Sequence, residues 1–397
     1  MRWHYGPLPT TLLEHAIGAT VLAFAIETWR GRHPLAWRTP FTIPALLFVL
    51  AGAISVVAAP SFSAGLGLYR AYIIEPILFA FVLVHSATTA RPALLVLAGF
   101  GVAGVVVGVA NSIVVLEALR SNTYDVIQTP PVVIYTAANA LALFLGPLIA
   151  VASSLAMYST DRMIRFASAA FLIIAVPSML LSFSRGGYLA TAAVAVGLAL
   201  SHRRRVWLLA GTAVVGVLVA LIPPIFHRLS VEFQNVNGTT FFGRAGRLEL
   251  WSAALKMLRE HPVFGAGLSG FADRVAPFWN PTHPERFIDP HNILLNFWAE
   301  TGVLGVIAFT WIMLVAFRVT WRGWRASGQD WRPIELGVML AMVAIVVHGL
   351  VDVPYFKNDL SLQFWTLAGL AWAGSREVWA KASSARPPSA TTARTSS

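Results

Sequence analysis

Cysteine is absent from the 397 residues, so neither a disulfide nor a thiolate metal site is available, and no redox compartment is written into the chain. Charge is scarce as well. Only 12% of residues are charged, against about 25% in an ordinary soluble domain, and this excludes a soluble globular protein. No Asp-x-Asp pair occurs in the stretches between apolar runs, no internal repeat is present, and no cleavable signal peptide is legible, because Glu14 and His15 interrupt the first apolar run. What is abundant is hydrocarbon: 57% hydrophobic residues and a mean hydropathy of +0.68, with apolar runs approaching the ~20 residues needed to cross a bilayer. The net charge of +11 would suit nucleic acid if the arginines formed a stripe on a soluble domain. They fall instead in short clusters between apolar runs, a pattern that orients membrane spans, so membrane lipids rather than nucleic acid are the expected surroundings.

The sequence predicts an all-α, polytopic helical bundle with eleven spans near 8–28, 41–59, 71–88, 92–118, 131–157, 164–183, 186–201, 206–224, 292–317, 333–352 and 359–377. Every second connection carries a basic cluster or residue: Arg30/Arg32/Arg38, Arg91, Arg162/Arg165, Arg203/Arg204/Arg205, Arg318/Arg322/Arg325/Arg332 and Arg376/Lys381. Those ends are expected to be cytoplasmic, which places the N-terminus outside a plasma (inner) membrane and the C-terminus inside. The chain then divides into an N-terminal bundle (1–224), an external loop (225–290), C-terminal spans (291–377) and a Pro/Ser/Thr-rich tail (378–397) expected to be disordered. Within the loop, RLELWSAALKMLRE predicts an amphipathic helix near 247–260 with Leu248, Trp251, Leu255 and Leu258 on one face, lying at the membrane interface. HPVFGAGLSGF and PTHPERFIDPHN read as turns.

Ionisable groups at span edges are functional candidates because hydrocarbon penalises them. On the expected external side these are Arg70 and Glu75, Arg185 in the break SFSRGG, Arg244 and Arg247 before the loop helix, His291, and Asp352. Each has a plainer reading. Arg70 and Glu75 can pair to anchor a helix end; Arg185 can snorkel. Arg259 and Arg274 read as solvated or headgroup-contacting charges, His261 and His283 as structural, and His348 as a satisfied core histidine or a polar link between helices.

In HNILLNFWAETGVLG, His291-Asn292 is followed by nine residues and then Gly302 and Gly305, which resembles the His-(Asn/Ser/Gln)-X9-Gly-X-X-Gly signature of the O-antigen ligases. SFSRGG resembles the arginine-containing turn of that superfamily, GRAGRLELW its external-loop arginine motif, and FGAGLSGF the segment that follows it. The four elements occur in order within a resemblance covering roughly 60–375. The family commonly has twelve spans with both ends cytoplasmic, against eleven here.

The resemblance implies a GT-C-like membrane glycosyltransferase. It would move a glycan from undecaprenyl diphosphate to a hydroxyl of lipid A-core or a similar acceptor at the external face, without nucleotide sugar, metal or other cofactor. Arg185 and Arg247 would hold the diphosphate through bidentate contacts, with Arg244 a close competitor of Arg247. His291, as a neutral imidazole, would be the general base, and direct attack would invert the anomeric centre. Asn292, Arg70, Glu75 and Asp352 are supporting candidates, Glu75 or Asp352 by orienting an arginine or the imidazole. Wzy-type polymerases and protein O-oligosaccharyltransferases share the superfamily and stay open as alternatives. An anion transporter, with Arg70, Glu75, Arg185 and His348 along its path, is the reading from another class.

Overall fold

A chain in hydrocarbon must satisfy its own backbone N–H and C=O groups, and the apolar windows accordingly fold as helices. The computed structural model describes residues 2–5, 8–31, 35, 37–121, 133–135, 137–230, 244–279 and 287–384. A two-stranded antiparallel hairpin, β1 (Arg2–Tyr5) and β2 (Leu8–Thr11), leads into α1 (Leu12–Trp29). There follow α2 (Thr42–Ala58), then α3 (Phe62–Tyr69), which continues through a π-helical turn at Arg70–Ile74 into α4 (Glu75–Ser86). Next come α5 (Ala90–Ser121), α6 (Ala138–Tyr158), α7 (Arg162–Leu181), α8 (Arg185–Leu200), α9 (Arg205–Ala220) and α10 (Pro223–Ser230). The loop region supplies α11 (Arg244–Glu260) and the short α12 (Phe271–Val275), and the chain closes with α13 (Ile293–Ala326), α14 (Arg332–Gly349) and α15 (Asn358–Ser384).

The protein is an all-α polytopic membrane protein, with seven rather than eleven helical segments long and apolar enough to cross a membrane among the described residues. The number becomes eight if α9 and α10, bent by 87° at a proline pair, are one broken span; α2 and α8 are shorter apolar helices. Three edges differ from the sequence reading. Residues 8–11 are strand, and helix begins only at Leu12, where the Glu14 carboxylate accepts from the Thr11 amide (3.2 Å) and the Thr10 hydroxyl (2.6 Å). The third span starts at Phe62, before the expected 71. Helix α15 runs to Ser384, past the expected onset of disorder at 378, because Trp379 packs under the Arg322 guanidinium (4.7 Å) and beside Trp372. Residues 385–397 lie outside the described residues.

An aromatic cluster fixes the end of the bundle that carries His291. Phe297 on α13 stacks on Phe309 (3.9 Å between centroids) and meets Tyr355 (5.1 Å) and Phe48 of α2 (5.8 Å). The Tyr355 hydroxyl donates to the Tyr72 carbonyl (2.7 Å) and accepts from Trp365 Nε1 (2.9 Å), so this buried ring has both its polar needs met. The segment between α14 and α15 is thereby held against α13 and the π-helical turn.

The loop helix α11 forms, but with a different inner face. Leu250, Ala253, Ala254, Met257 and Leu258 are buried against Ala266, Phe271, Val275 and Ala299, whereas Leu248 (50% exposed) and Leu255 (42%) point outward. A tertiary partner, α12 with the start of α13, therefore takes a face rotated from the one that the periodicity assigned to the membrane interface.

Candidate active site

The sequence Asp289-Pro290-His291-Asn292 ends in a helix cap. Asn292 Oδ1 accepts from the amides of Leu294 and Leu295 (3.1 Å each), starting α13, while its Nδ2 donates to Leu350 O (3.0 Å) and ties that start to the end of α14. The expected supporting role of Asn292 is thus a positional one. His291 has φ +49°, a left-handed conformation unusual for a residue with a Cβ, and its amide donates to Asp289 Oδ1 (2.9 Å). The turn aims Nδ1 between two carboxylates, 3.1 Å from Asp289 Oδ1 and 3.5 Å from Asp352 Oδ1. Phe287 meets the ring edge-on at 5.9 Å.

The electrostatics follow from this placement. Burial alone would lower the His291 pKa, but the two carboxylates outweigh it and push the value up to about 10. Burial would conversely raise Asp352, and the hydrogen bond and charge of His291 hold it well below the usual carboxylate range. Against the neutral imidazole expected from the sequence, this environment favours an imidazolium paired with Asp289 and Asp352.

Arg185 stands at the first turn of α8. The preceding Ser184 caps that helix, accepting from the Gly187 amide (3.2 Å), and its hydroxyl lies 3.4 Å from His348 Nε2. The residue that turns the chain is Phe183, with φ +51°. Gly186 serves close approach instead: a Cβ there would run into the His348 ring. Arg228 of α10, buried, donates from Nε to the Phe183 carbonyl (3.3 Å), so the turn carrying Arg185 is held by a second arginine.

Arg185 lies within electrostatic reach of Arg228 and of Arg247 on α11, and Arg247 within reach of Asp352 and His348. Burial lowers the Arg247 pKa and Asp352 offsets part of that. Asp352 is thus shared between His291 and Arg247. The side chain of Arg244 lies outside the described residues.

Arg70 and Glu75 belong to another polar group. Arg70 Nε lies 3.2 Å from Glu75 Oε1 and its Nη2 bonds Glu14 Oε2 (2.6 Å), while Asn358 Nδ2 donates to Glu14 Oε1 (2.6 Å). The group ties α1, the π-helical turn and α15 together, which is the anchoring role rather than an imidazole-orienting one. The path of the transporter reading is divided accordingly: His348 meets Ser184, the residue before Arg185, and Arg70 and Glu75 sit in the separate group. Arg274, read as solvated, instead donates to the last carbonyl of α2 at Ala58 (2.9 Å) and meets His261 (3.2 Å). His283 falls outside the described residues.

The glycine signature has a structural cause. Gly302 breaks α13 with φ +66°, and a Cβ there would strike the Val263 carbonyl. Across the break, Val303 N donates to Val263 O (3.0 Å) and Ala266 N to Ala299 O (2.6 Å), while Glu300 Oε2 accepts from Ser269 N (2.6 Å). The segment HPVFGAGLSGF is thereby docked on α13, and α11 with Arg247 is docked through it; Trp251 Nε1 donates to Pro290 O (2.9 Å), one residue from His291.

Ligand atoms of Asp289, His291 and Asp352 all lie within 4.8 Å of one another and could hold a cation, a grouping hidden from sequence spacing because Asp352 is remote in the chain. The fit is poor on charge: the histidine already pairs with both carboxylates, and Arg247 stands near Asp352. Among known families, residues 169–310 match the one described as O-antigen ligase, Wzy_C. The match spans less than half of the chain, and this part of it is similar to the O-antigen ligases. The matched O-antigen ligase segment includes Arg185, Arg228, Arg247, His291, Gly302 and Gly305, while Asp352, which completes the histidine's environment, lies beyond it. No curated protein matches the chain.

Sequence reasoning missed three members of the group. Asp289 was visible only as a neighbour of His291. Ser184 gave no signal, and Arg228 gave a faint one, as a lone arginine in PPIFHRLS at the edge of an apolar run.

Proposed function

We propose that this protein transfers a glycan from a polyprenyl diphosphate carrier, of the undecaprenyl type, to a hydroxyl of lipid A-core or a related acceptor at the external membrane face. The observation that carries the proposal is the single polar group in which Asp352 connects His291 to Arg247, with Arg185 alongside. The arginines hold the diphosphate and stabilise charge gathering on its leaving oxygen. With Nδ1 committed to the carboxylates, Nε2 is the ring nitrogen for the acceptor. The acceptor oxygen attacks the anomeric carbon and its proton goes to Nε2. The bond from that carbon to the diphosphate breaks, and the carrier leaves as lipid diphosphate with inversion. Only the neutral minority of His291 takes the proton, but the two carboxylates make that minority a stronger base.

The test is acceptor dependence with purified protein in lipid nanodiscs. Glycan is expected on added lipid A-core and not on carrier-linked glycan incubated alone. Lengthened carrier-linked chains with no other acceptor would replace ligation by polymerisation.

A further inference from the structure

The end of α13 opposite His291 carries arginines among tryptophans. At about 1.5 Å per residue, Arg318, Arg322 and Arg325 lie about 40–50 Å along the helix from its start, past a hydrocarbon core of ~30 Å and at the headgroup layer of the other leaflet. Indole rings hold them in place. Arg322 lies 4.7 Å and Arg318 5.9 Å from the Trp379 ring of α15, and Arg325 lies 5.5 Å from Trp321, which meets Trp324 edge-on at 5.4 Å. A cation over an indole face is positioned without being neutralised.

Beside these residues a shallow groove of about 550 Å³ runs between α13 and α14, lined by Phe317, Arg318, Trp321, Arg322 and Met339. Its chemistry is two-sided. Phe317, Trp321 and Met339 offer apolar surface, while Arg318 and Arg322, one helical turn apart, offer two guanidiniums to one anion. No carboxylate lines the groove. Glu335, one turn before Met339 on α14, is buried and accepts from the Ser375 hydroxyl (3.0 Å), so it is engaged inside the bundle. A zwitterionic phospholipid would bring an ammonium with no carboxylate to meet it, whereas an anionic phospholipid brings only the charge that the groove complements. Free phosphate would leave the apolar lining unused.

We propose that this groove binds one anionic phospholipid of the leaflet opposite the His291 site, with its phosphodiester between Arg318 and Arg322 and an acyl chain against Phe317 and Met339. The bound lipid bridges α13 and α14 at the end of the bundle remote from the polar group around His291.

Native mass spectrometry of the full-length protein, delipidated in detergent and titrated with phosphatidylglycerol or phosphatidylcholine of matched chains, counts the lipids retained. One phosphatidylglycerol is expected to be held at least tenfold more tightly than phosphatidylcholine, about 1.4 kcal/mol. Arg318→Gln with Arg322→Gln should abolish that preference. Arg318→Lys with Arg322→Lys keeps the charge, should the glutamine pair fail to fold, and is expected to weaken phosphatidylglycerol several-fold because the planar fork is lost. Met339→Trp fills the groove without touching its charge and should also release the lipid. Arg203→Gln with Arg204→Gln removes equal charge from another exposed basic cluster and should leave the lipid bound. Equal affinity for the two lipids, phosphatidylglycerol retained in Met339→Trp, or a loss as large in the Arg203 and Arg204 pair as in the Arg318 and Arg322 pair overturns the inference and leaves these arginines as general membrane-facing charges. Displacement of the lipid by inorganic phosphate at equal concentration would overturn it as well, by making the site one for a free anion.

Discussion

Raising the pH in a transfer assay strips the proton that Asp289 and Asp352 hold on His291, and the size of the response follows from the site. With the ring's pKa pushed up from 6.5 to about 10, about one ring in a thousand is neutral at pH of about 7. If only neutral Nε2 accepts the acceptor's proton, kcat/KM at subsaturating donor climbs about tenfold per pH unit toward about pH 9 and levels off near pH 10. Asp289→Asn sharpens the test, since the amide oxygen can still accept from the His291 backbone while the carboxylate charge is gone. One nearby carboxylate is worth about 1–3 pH units, so the limb should move down by that amount. Stability runs the other way. A folded-state pKa raised above 6.5 contributes stability that is complete below that value and lost as pH rises through about 10, so thermal stability should fall over the interval in which activity rises. A rate that is flat or falling between about pH 7 and 9 would refute the base role and assign the imidazolium to the leaving group.

Arg185→Lys keeps the charge but loses the fork, and should raise the donor KM roughly tenfold or more, the loss of about 1.5–3 kcal/mol for a charged hydrogen bond; an unchanged KM would deny a bidentate contact. Gly302→Ala forces a Cβ onto the Val263 carbonyl at φ +66° and should cost at least ~1–3 kcal/mol. A melting temperature equal to that of the unsubstituted protein would show that the break in α13 is not needed. Transfer should survive dialysis against a chelator, because Asp289 and Asp352 serve the histidine; activity lost on chelation and restored by a divalent cation would reassign that trio as a metal site.

Much of the helical layout was legible because hydrocarbon leaves the backbone little choice, and the windows around α5, α7 and α14 need only small shifts at their ends. The polar group at the π-helical turn was not, since Arg70 and Glu75 are joined there by Glu14 and Asn358, both remote in the chain. His291 and Arg185 were legible as ionisable residues at helix starts. Their partners were harder: Asp352 is at the far end of α14, and Arg228 is aimed by a bend that a proline pair permits but does not fix in direction. For α11, periodicity announced the helix but not its inner face. Leu250 and Met257 won burial over Leu248 and Leu255 because the partner surface, α12 and Ala299, exists only once Gly302 has broken α13 and docked the loop.

The most direct measurement is single-turnover transfer of glycan from purified carrier-linked donor to added acceptor, comparing the unsubstituted protein with His291→Ala. Loss of about 100-fold or more in rate is expected, with donor binding retained because the arginines are intact. Transfer by His291→Ala at the unsubstituted rate would contradict the assignment of this residue to the acceptor's proton.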